Sequence, residues 1–327
     1  MSKLTPISDF DIVFISYDEP NADKNYADLL TKAPWAKRSH GVKGSDACHK
    51  AAAALSDTER FITIDADNVV WDEFFNIELD LEKVAPTDVI SWAGKNVING
   101  LIYGNGGIKL WPKSVVASMK THENAESPSA QVDFCWDIHY HQMNNVYCWT
   151  YNNGSAYQAF RAGFREGVKM CLTGGVPVSI EDLRKKVHPK NYRRLLVWQS
   201  VGSDAPNGLW AIYGARLGTY MTLFDKSFDY VNVRDFEWHD EHWFNIVQPK
   251  FEKNPTEMCT ATGWMYDNGY LKEEIKRLGT ELRTKANLQI AELDENGSRF
   301  FKESYINPNR LGPMIKEDQV IQGVDGF

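Results

Sequence analysis

Two carboxylates one residue apart, Asp65 and Asp67, follow the apolar run Phe61-Ile62-Thr63-Ile64. Side chains alternate across a strand, so the pair starts on one side of it. A twist at the strand end would let both face a single cation. Carboxylate oxygens are hard ligands that suit Mg²⁺ or Mn²⁺, ions that keep water and hold substrate phosphates through one or two carboxylates. Ala66 leaves room for a ligand to approach. The same residues also fit a strand that ends in an Asx turn, and an isolated D-x-D carries little weight. Its context decides.

Other stretches carry residues able to do chemistry. Tyr17, Asp18 and Glu19 follow the first apolar run, where a ring can stack on a base and a carboxylate can hold a ribose or base N–H; an ordinary βα loop has the same composition. Arg38, Lys43 and Gly44 precede a helix start, which offers amides, a dipole and a cation to a diphosphate. The spacing is not that of a Walker A loop, and a capped helix explains the residues equally. His49 in that helix reads as structural. Asn105, in the glycine-rich stretch from Gly104 to Gly107, is a sugar-like partner, although a hairpin turn needs the same glycines. Asp133 and Asp137 stand among aromatics, and either could be a general base. His139 and His141 alternate without a nearby third ligand in sequence. Trp238-His239-Asp240-Glu241-His242-Trp243 does not match H-E-x-x-H, but one imidazole, His242 or His239, could complete a divalent site begun by Asp65 and Asp67. From Arg161 to Arg194 there are nine Lys/Arg against three Asp/Glu, a local charge of +6 in a chain of −8. Arg161, Arg165, Lys185, Lys186, Arg193 and Arg194 there, interleaved with Tyr192 and Trp198, have the pattern of a phosphate-backbone contact; a solvated helix face is the alternative.

The elements that must position these residues read β-α-β-α-β over the first seventy. Strands are expected at Asp11–Ser16, Ala36–Val42 and Phe61–Ile64, and helices at Asn21–Leu30 and Ala47–Leu55, the latter capped by Ser45 or Asp46. This predicts a doubly wound sheet with the carboxylates at the C-terminal end of a strand, where open α/β sheets bind ligands. Further strands are expected at Asp88–Trp92, after the glycine-rich stretch, at Val146–Tyr151 and at Val231–Phe236. Helices are expected at Lys113–Lys120, Ala156–Leu172, through much of Glu181–Ser200, and at Leu271–Ala291. His122–Gln131 reads as a loop, Asn207–Thr222 as glycine-punctuated and aromatic, and the tail from Asn307 as extended. A boundary near Pro249–Pro255 would separate a domain at 1–250, with a basic helical insertion at 161–200, from a C-terminal helical extension at 251–327.

Composition bounds the rest. The 327 residues are 43% hydrophobic and 24% charged, as in soluble globular chains. No apolar run of transmembrane length and no signal peptide are seen, so a cytoplasmic protein without a membrane partner is expected. Five scattered cysteines without C-x-x-C argue for reduced thiols rather than a disulfide framework or a zinc site. The net charge of −8 argues against a general polyanion binder. Eleven Trp and 14 Tyr suit ligands with flat faces.

The βαβαβ start, the acidic βα loop and Asp65-Ala66-Asp67 together resemble the GT-A nucleotide-sugar glycosyltransferases. The resemblance implies a Rossmann-like, doubly wound mixed α/β sheet, a UDP-sugar or similar donor over its first edge, and Mn²⁺ or Mg²⁺. It implies that Asp67 ligates the metal, that Asp65 contacts ribose or sugar, and that a late histidine such as His242 joins them. Pro34-Trp35-Ala36-Lys37-Arg38, Val42-Lys43-Gly44 and the stretch from Ala159 to Gly167 are also similar to phage-encoded glycosyltransferases. Some of those attach sugars, arabinose among them, to hydroxymethylcytosine in phage DNA, which implies DNA as acceptor and a host cytoplasm. Two other readings stay open: a nucleotidyltransferase, and a non-catalytic nucleotide- or glycan-binding module.

Overall fold

The computed structural model describes residues 4–121, 124, 138–253 and 266–305, without the side chains at 104, 105 and 144. The loop expected at 122–131, apart from residue 124, and the tail expected from 307 lie outside the described residues. The chain forms two compact units. Among the described residues, one is built from 4–121, 124 and 138–154, with 304 and 305; the other is built from 155–253 and 266–303. This division does not fall at the 250/251 boundary expected from the sequence.

The first unit contains β1 (Thr5–Pro6), β2 (Asp11–Ser16), α1 (Ala22–Lys32), β3 (Lys37–His40), α2 (Ser45–Leu55), β4 (Arg60–Asp65), β5 (Asn68–Val70), β6 (Glu78–Leu79), β7 (Val89–Asn96), β8 (Ile102–Pro112), α3 (Lys113–Ser118) and β9 (Tyr140–Thr150). Seven strands make a mixed sheet in the order β3-β2-β4-β8-β7-β9-β5, and β1 pairs separately with β6. β2 runs parallel to β3 and to β4, β8 is antiparallel to β4 and β7, and β7 and β9 are parallel. The central strands are apolar on both faces because both are covered. Val13 and Phe61 pack with Ala52, Trp111 and Val116, while Ile12, Phe14, Ile62 and Ile64 pack with Leu29, Phe74 and Trp92.

The expected βαβαβ core is present, and Asp65 is the last residue of β4. The α2 cap differs from expectation. Gly44, at φ 95°, is the N-cap, and Ser45 and Asp46 stand inside the first turn of the helix. The glycine-rich stretch is continuous strand rather than hairpin, since β8 runs from Ile102 through Pro112.

The second unit contains α4 (Ala156–Lys169), a short hairpin of β10 (Leu172–Thr173) and β11 (Val176–Pro177), α5 (Leu183–Lys186), α6 (Pro189–Trp198), α7 (Gly208–Phe224), α8 (Phe236–His242), α9 (Gln248–Phe251), α10 (Asn268–Ala286) and α11 (Glu295–Ser304). One sequence expectation is corrected, and one segment left without an element is assigned. Tyr230–Arg234 is a 3₁₀ turn leading into α8, not a strand, because the Asp229 and Asp235 side chains accept amides at the two helical starts. Asn207–Thr222 is mostly helix, and its glycines serve packing. Gly163 and Gly167 of α4 face the Ala211 and Ala215 carbonyls of α7, while Gly214 and Gly218 of α7 face the Phe160 and Phe164 carbonyls of α4. A Cβ on Gly163 would lie 1.9 Å from the Ala211 oxygen. Two backbones this close exclude any side chain, so tertiary packing overrides helix propensity. Arg216 of α7 is fully buried and donates to the Gln199, Ile275 and Ala291 carbonyls and to Glu292, tying α7 to its neighbours. No helix among the described residues is long and apolar enough to cross a membrane.

Gly163→Ala is expected to destabilise the protein by about 2 kcal/mol in urea unfolding, because overpacking outweighs the propensity gained. The Glu274 carboxyl is held down at about 2, against an ordinary 4.5, by its hydrogen bonds from Arg277 and Lys250, with burial opposing them. The folded-state value is depressed, so the stabilisation is present above the unfolded value and is lost as pH falls from about 4.5 to about 2. Glu274→Gln should therefore cost on the order of 1–2 kcal/mol at pH 7, with partly exposed partners screening the pair, and its Tm should converge on that of the wild type in acid. A constant Tm gap between pH 7 and pH 3 would contradict this.

Candidate functional site

The chain leaves β2 to one side, through α1 to β3, and returns through α2 to β4 on the other side. The winding therefore reverses between β2 and β4. At such a switch the connections diverge and leave a crevice beyond the carboxyl ends of the strands. Ile15 pairs with Asp65 across these strands, so the loop at Tyr17 and the turn at Asp67 rise from the same end of the sheet. Asp65 and Asp67 are both half-buried.

The turn from Asp65 to Asn68 is held from three sides. Asn25 donates to the Ala66 carbonyl (2.8 Å), the Tyr151 amide donates to the Asp67 carbonyl (2.6 Å), and Asn68 donates to Asp67 Oδ1 (2.9 Å). Asn68 is buried and its Oδ1 accepts from Thr150 Oγ1 (3.0 Å) and Cys148 Sγ (3.1 Å). It thus couples the Asp67 carboxylate to β9. Sequence reading missed Asn68. An Asn directly after D-x-D was visible, but its partners lie some eighty residues away.

Gly107, at φ 87°, faces this turn from β8. A Cβ there would meet Asn68 Nδ2 at 2.2 Å and Asp65 Oδ2 at 3.1 Å, so only glycine lets the two strands close around the carboxylates. Lys109 is buried two residues further along β8, opposite Thr63 of β4 and therefore on the sheet face shared by Thr63 and Asp65. His49 packs on the same side against Trp111. Its Nδ1–H donates to the Ser45 carbonyl. Burial pushes its imidazole below the usual range, the Asp65 charge acts against that, and Lys109 acts with it. Cys148 is a buried thiol pushed up by burial and then by the nearby Asp67 and Asp65 charges. Asp65, Asp67 and Lys109 are therefore one charge cluster at the carboxyl end of the sheet.

The remaining candidates are placed as follows. Tyr17 is 46% exposed at the end of β2, Asp18 is exposed, and Glu19 accepts from the Tyr17 amide (2.8 Å). Arg38 is engaged within the fold: its guanidinium donates to Ser16 Oγ and Asp23 and lies over the Tyr26 ring. Lys43 is exposed and Gly44 opens α2. Asp133, Asp137 and the Asn105 side chain lie outside the described residues.

His242 belongs to the second unit. Its ring stacks on Trp238 (4.8 Å) and Phe160 (6.2 Å), and burial pushes it down to about 4. His239 donates to the Val233 carbonyl and is pushed by burial to about 3. Both rings are therefore neutral at pH 7.

In the basic region Lys185, Lys186 and Arg193 are exposed, with Lys186 paired to Asp182. Arg194 and Trp198 are buried, which removes them from any surface contact. Arg161 stacks over Tyr157 and Phe236, and Arg165 is half-buried.

A separate set was not assembled from the sequence. Asp88 meets His139 and His141, supplying the third ligand that the sequence did not reveal, and the three can hold a metal ion. Burial raises the Asp88 carboxyl, but hydrogen bonds from His141, the Ala85 amide and His139 hold it below the usual carboxylate range. Comparison of the chain with protein-family models, with curated proteins and with solved structures finds no match.

Asn68→Ala should cost about 2–3 kcal/mol by thermal or urea unfolding, because Thr150 and the Asp67 carboxylate lose a buried partner. Thr150→Val should cost less, about 1 kcal/mol. Equal, negligible effects would remove Asn68 from its bridging position.

Proposed function

We propose that the chain is a metal-dependent glycosyltransferase of the GT-A kind, moving a sugar from a nucleotide sugar to an acceptor hydroxyl. The observation that carries this reading is the position of Asp65 and Asp67, a braced carboxylate pair where the winding of the sheet reverses. Two hard carboxylates at the carboxyl end of the sheet fit Mg²⁺ or Mn²⁺, which need only one or two protein carboxylates when phosphates complete the shell. The cation would offset negative charge on the departing diphosphate.

The residues of the chain have distinct tasks in this reading. Asp67, oriented by Asn68, and Asp65 hold the cation. Lys43 and the amides opening α2 receive the diphosphate. Tyr17 offers an exposed ring at the end of β2 for the base, and the Asp18 carboxylate offers an acceptor for ribose. A carboxylate must take the proton of the acceptor hydroxyl as it attacks the anomeric carbon, and Asp133 and Asp137 are the candidates from the sequence.

For the acceptor we propose DNA carrying a hydroxymethylated base. Support comes from the exposed Lys185, Lys186 and Arg193 of α5 and α6, a local excess of cations in an acidic chain. Such a surface meets phosphates and positions the duplex without reading its bases. The base itself must then present its hydroxyl to the site, in an open groove or flipped out.

Turnover of UDP-sugars, in a panel with GDP-sugars, should require Mn²⁺ or Mg²⁺, and Asp67→Ala should lower it by roughly 100-fold or more, since no neighbour replaces a carboxylate on a hard cation. Asn68→Ala should weaken Mn²⁺ affinity about 10- to 100-fold. Full activity of Asp67→Ala would remove the metal assignment. DNA binding should weaken with salt at a log–log slope near −0.9 per phosphate met. Replacing Lys185, Lys186 and Arg193 by Ser should raise KM for modified DNA and leave donor hydrolysis unchanged. Salt-insensitive binding, with efficient transfer to a small acceptor, would remove DNA and leave glycosyl transfer standing.

A further inference from the structure

β4 and β7 are both antiparallel to β8, so they run in the same direction. The amino ends of β7 and of its parallel neighbour β9 therefore lie at the sheet edge opposite Asp65. Val89 pairs with Tyr140 and Ile90 with His141. This register brings Asp88, just before β7, beside His139 and His141 at the start of β9. His139 Nδ1 stands 3.0 Å from Asp88 Oδ1, and His141 Nε2 stands 2.6 Å from Asp88 Oδ2. One ligand atom from each of the three residues falls within 4.8 Å of the others.

The surroundings favour a cation. The Asp88 side chain is 12% exposed and that of His141 6%, whereas His139 is 71% exposed. Among the described residues no Lys or Arg forms an ion pair with the Asp88 carboxylate. Arg60 stands close, but its guanidinium donates to the main-chain carbonyls of Ala85, Pro86 and Asp88. The carboxylate itself meets two imidazoles and the Ala85 amide. A buried anion facing two imidazole nitrogens is a donor set that zinc-class ions take, whereas Mg²⁺ and Mn²⁺ prefer oxygen alone.

We propose that Asp88, His139 Nδ1 and His141 Nε2 bind one divalent transition-metal ion, zinc in type. The ion would replace the protons that the two imidazoles now direct at the carboxylate, and each ring would carry its proton on its other nitrogen. On His139 that nitrogen belongs to an exposed ring. On His141 it is Nδ1, which lacks a hydrogen-bond partner among the described residues in the present arrangement too, so the exchange abandons no bond there. Three protein ligands leave a position for water on the exposed His139 side. The site ties the start of β9 to the start of β7. It is independent of the glycosyl-transfer reading, and the two edges of the sheet would sort metals by ligand type, with oxygen ligands at one edge and two nitrogens with one oxygen at the other.

The test uses the full chain stripped of metal with a chelator. Titration with Zn²⁺ should show one site per chain with Kd of about 1 µM or tighter. Co²⁺ in its place should give the intense visible bands of a low-coordinate ion, and Zn²⁺ should raise Tm by several degrees, reversed by chelator. His139→Ala, altered at an exposed side chain, should keep the circular dichroism of the wild type while weakening Zn²⁺ by at least about 30-fold and losing the cobalt bands. Asp88→Asn should lose both as well, whereas Asp67→Ala should retain both. If wild type gives no stoichiometric binding, or if His139→Ala titrates like wild type, the three residues are a hydrogen-bonded set only and the proposal fails.

Discussion

The pairing of β4 on its two sides is the constraint from which the rest of the first unit follows. On one side it is parallel to β2, in a register that sets Ile15 beside Asp65. On the other it is antiparallel to β8, so Gly107 and Lys109 come back along its carboxyl end. A slip of one residue would turn Asp65 to the opposite face. The buried alternation of Phe61 and Thr63 on one face with Ile62 and Ile64 on the other makes that slip costly. The site geometry therefore rests on hydrophobic register as much as on the polar residues themselves.

That register also gives the two edges of the sheet different chemistry. At the carboxyl end of β4, carboxylates, a buried lysine and a bridging asparagine gather around a glycine. At the amino ends of β7 and β9, one carboxylate meets two imidazoles. Both clusters draw residues from strands distant in sequence but adjacent in the sheet. In both, hydrogen bonds fix the carboxylate: Asn68 holds Asp67, while Ala85, His139 and His141 hold Asp88.

The second unit solves a different packing problem. α4 and α7 approach through glycines on both helices, and the buried Arg216 satisfies carbonyls from three surrounding segments. The interface excludes side chains where the backbones cross, so glycine at these positions is a requirement of volume and not of turn formation. The aromatic stack of Phe160, Trp238 and His242 fills the adjoining space, and its burial keeps both histidines of α8 neutral.

Local pattern alone determined a good part of this protein. The apolar run at Asp11–Ser16, the helix of alanines in α2 and the strand ending at Asp65 were legible because buried strands and strong helix formers leave continuous or periodic signals. The basic run was legible as charge, but not which of its residues reach the surface. Arg194 and Trp198 turn inward on α6, a matter of helix rotation against the core. The glycines of α7 left Asn207–Thr222 without an element, since a glycine needed for close approach cannot be told from a breaker until the partner helix is known, and the strand expected at Val231–Phe236 gave way because two capping aspartates outweighed a β-branched run. Asn68 as a bridge and Asp88 as the partner of two histidines were decided only by the tertiary structure. Each depends on strand pairing across fifty residues or more, and no local spacing encodes that register.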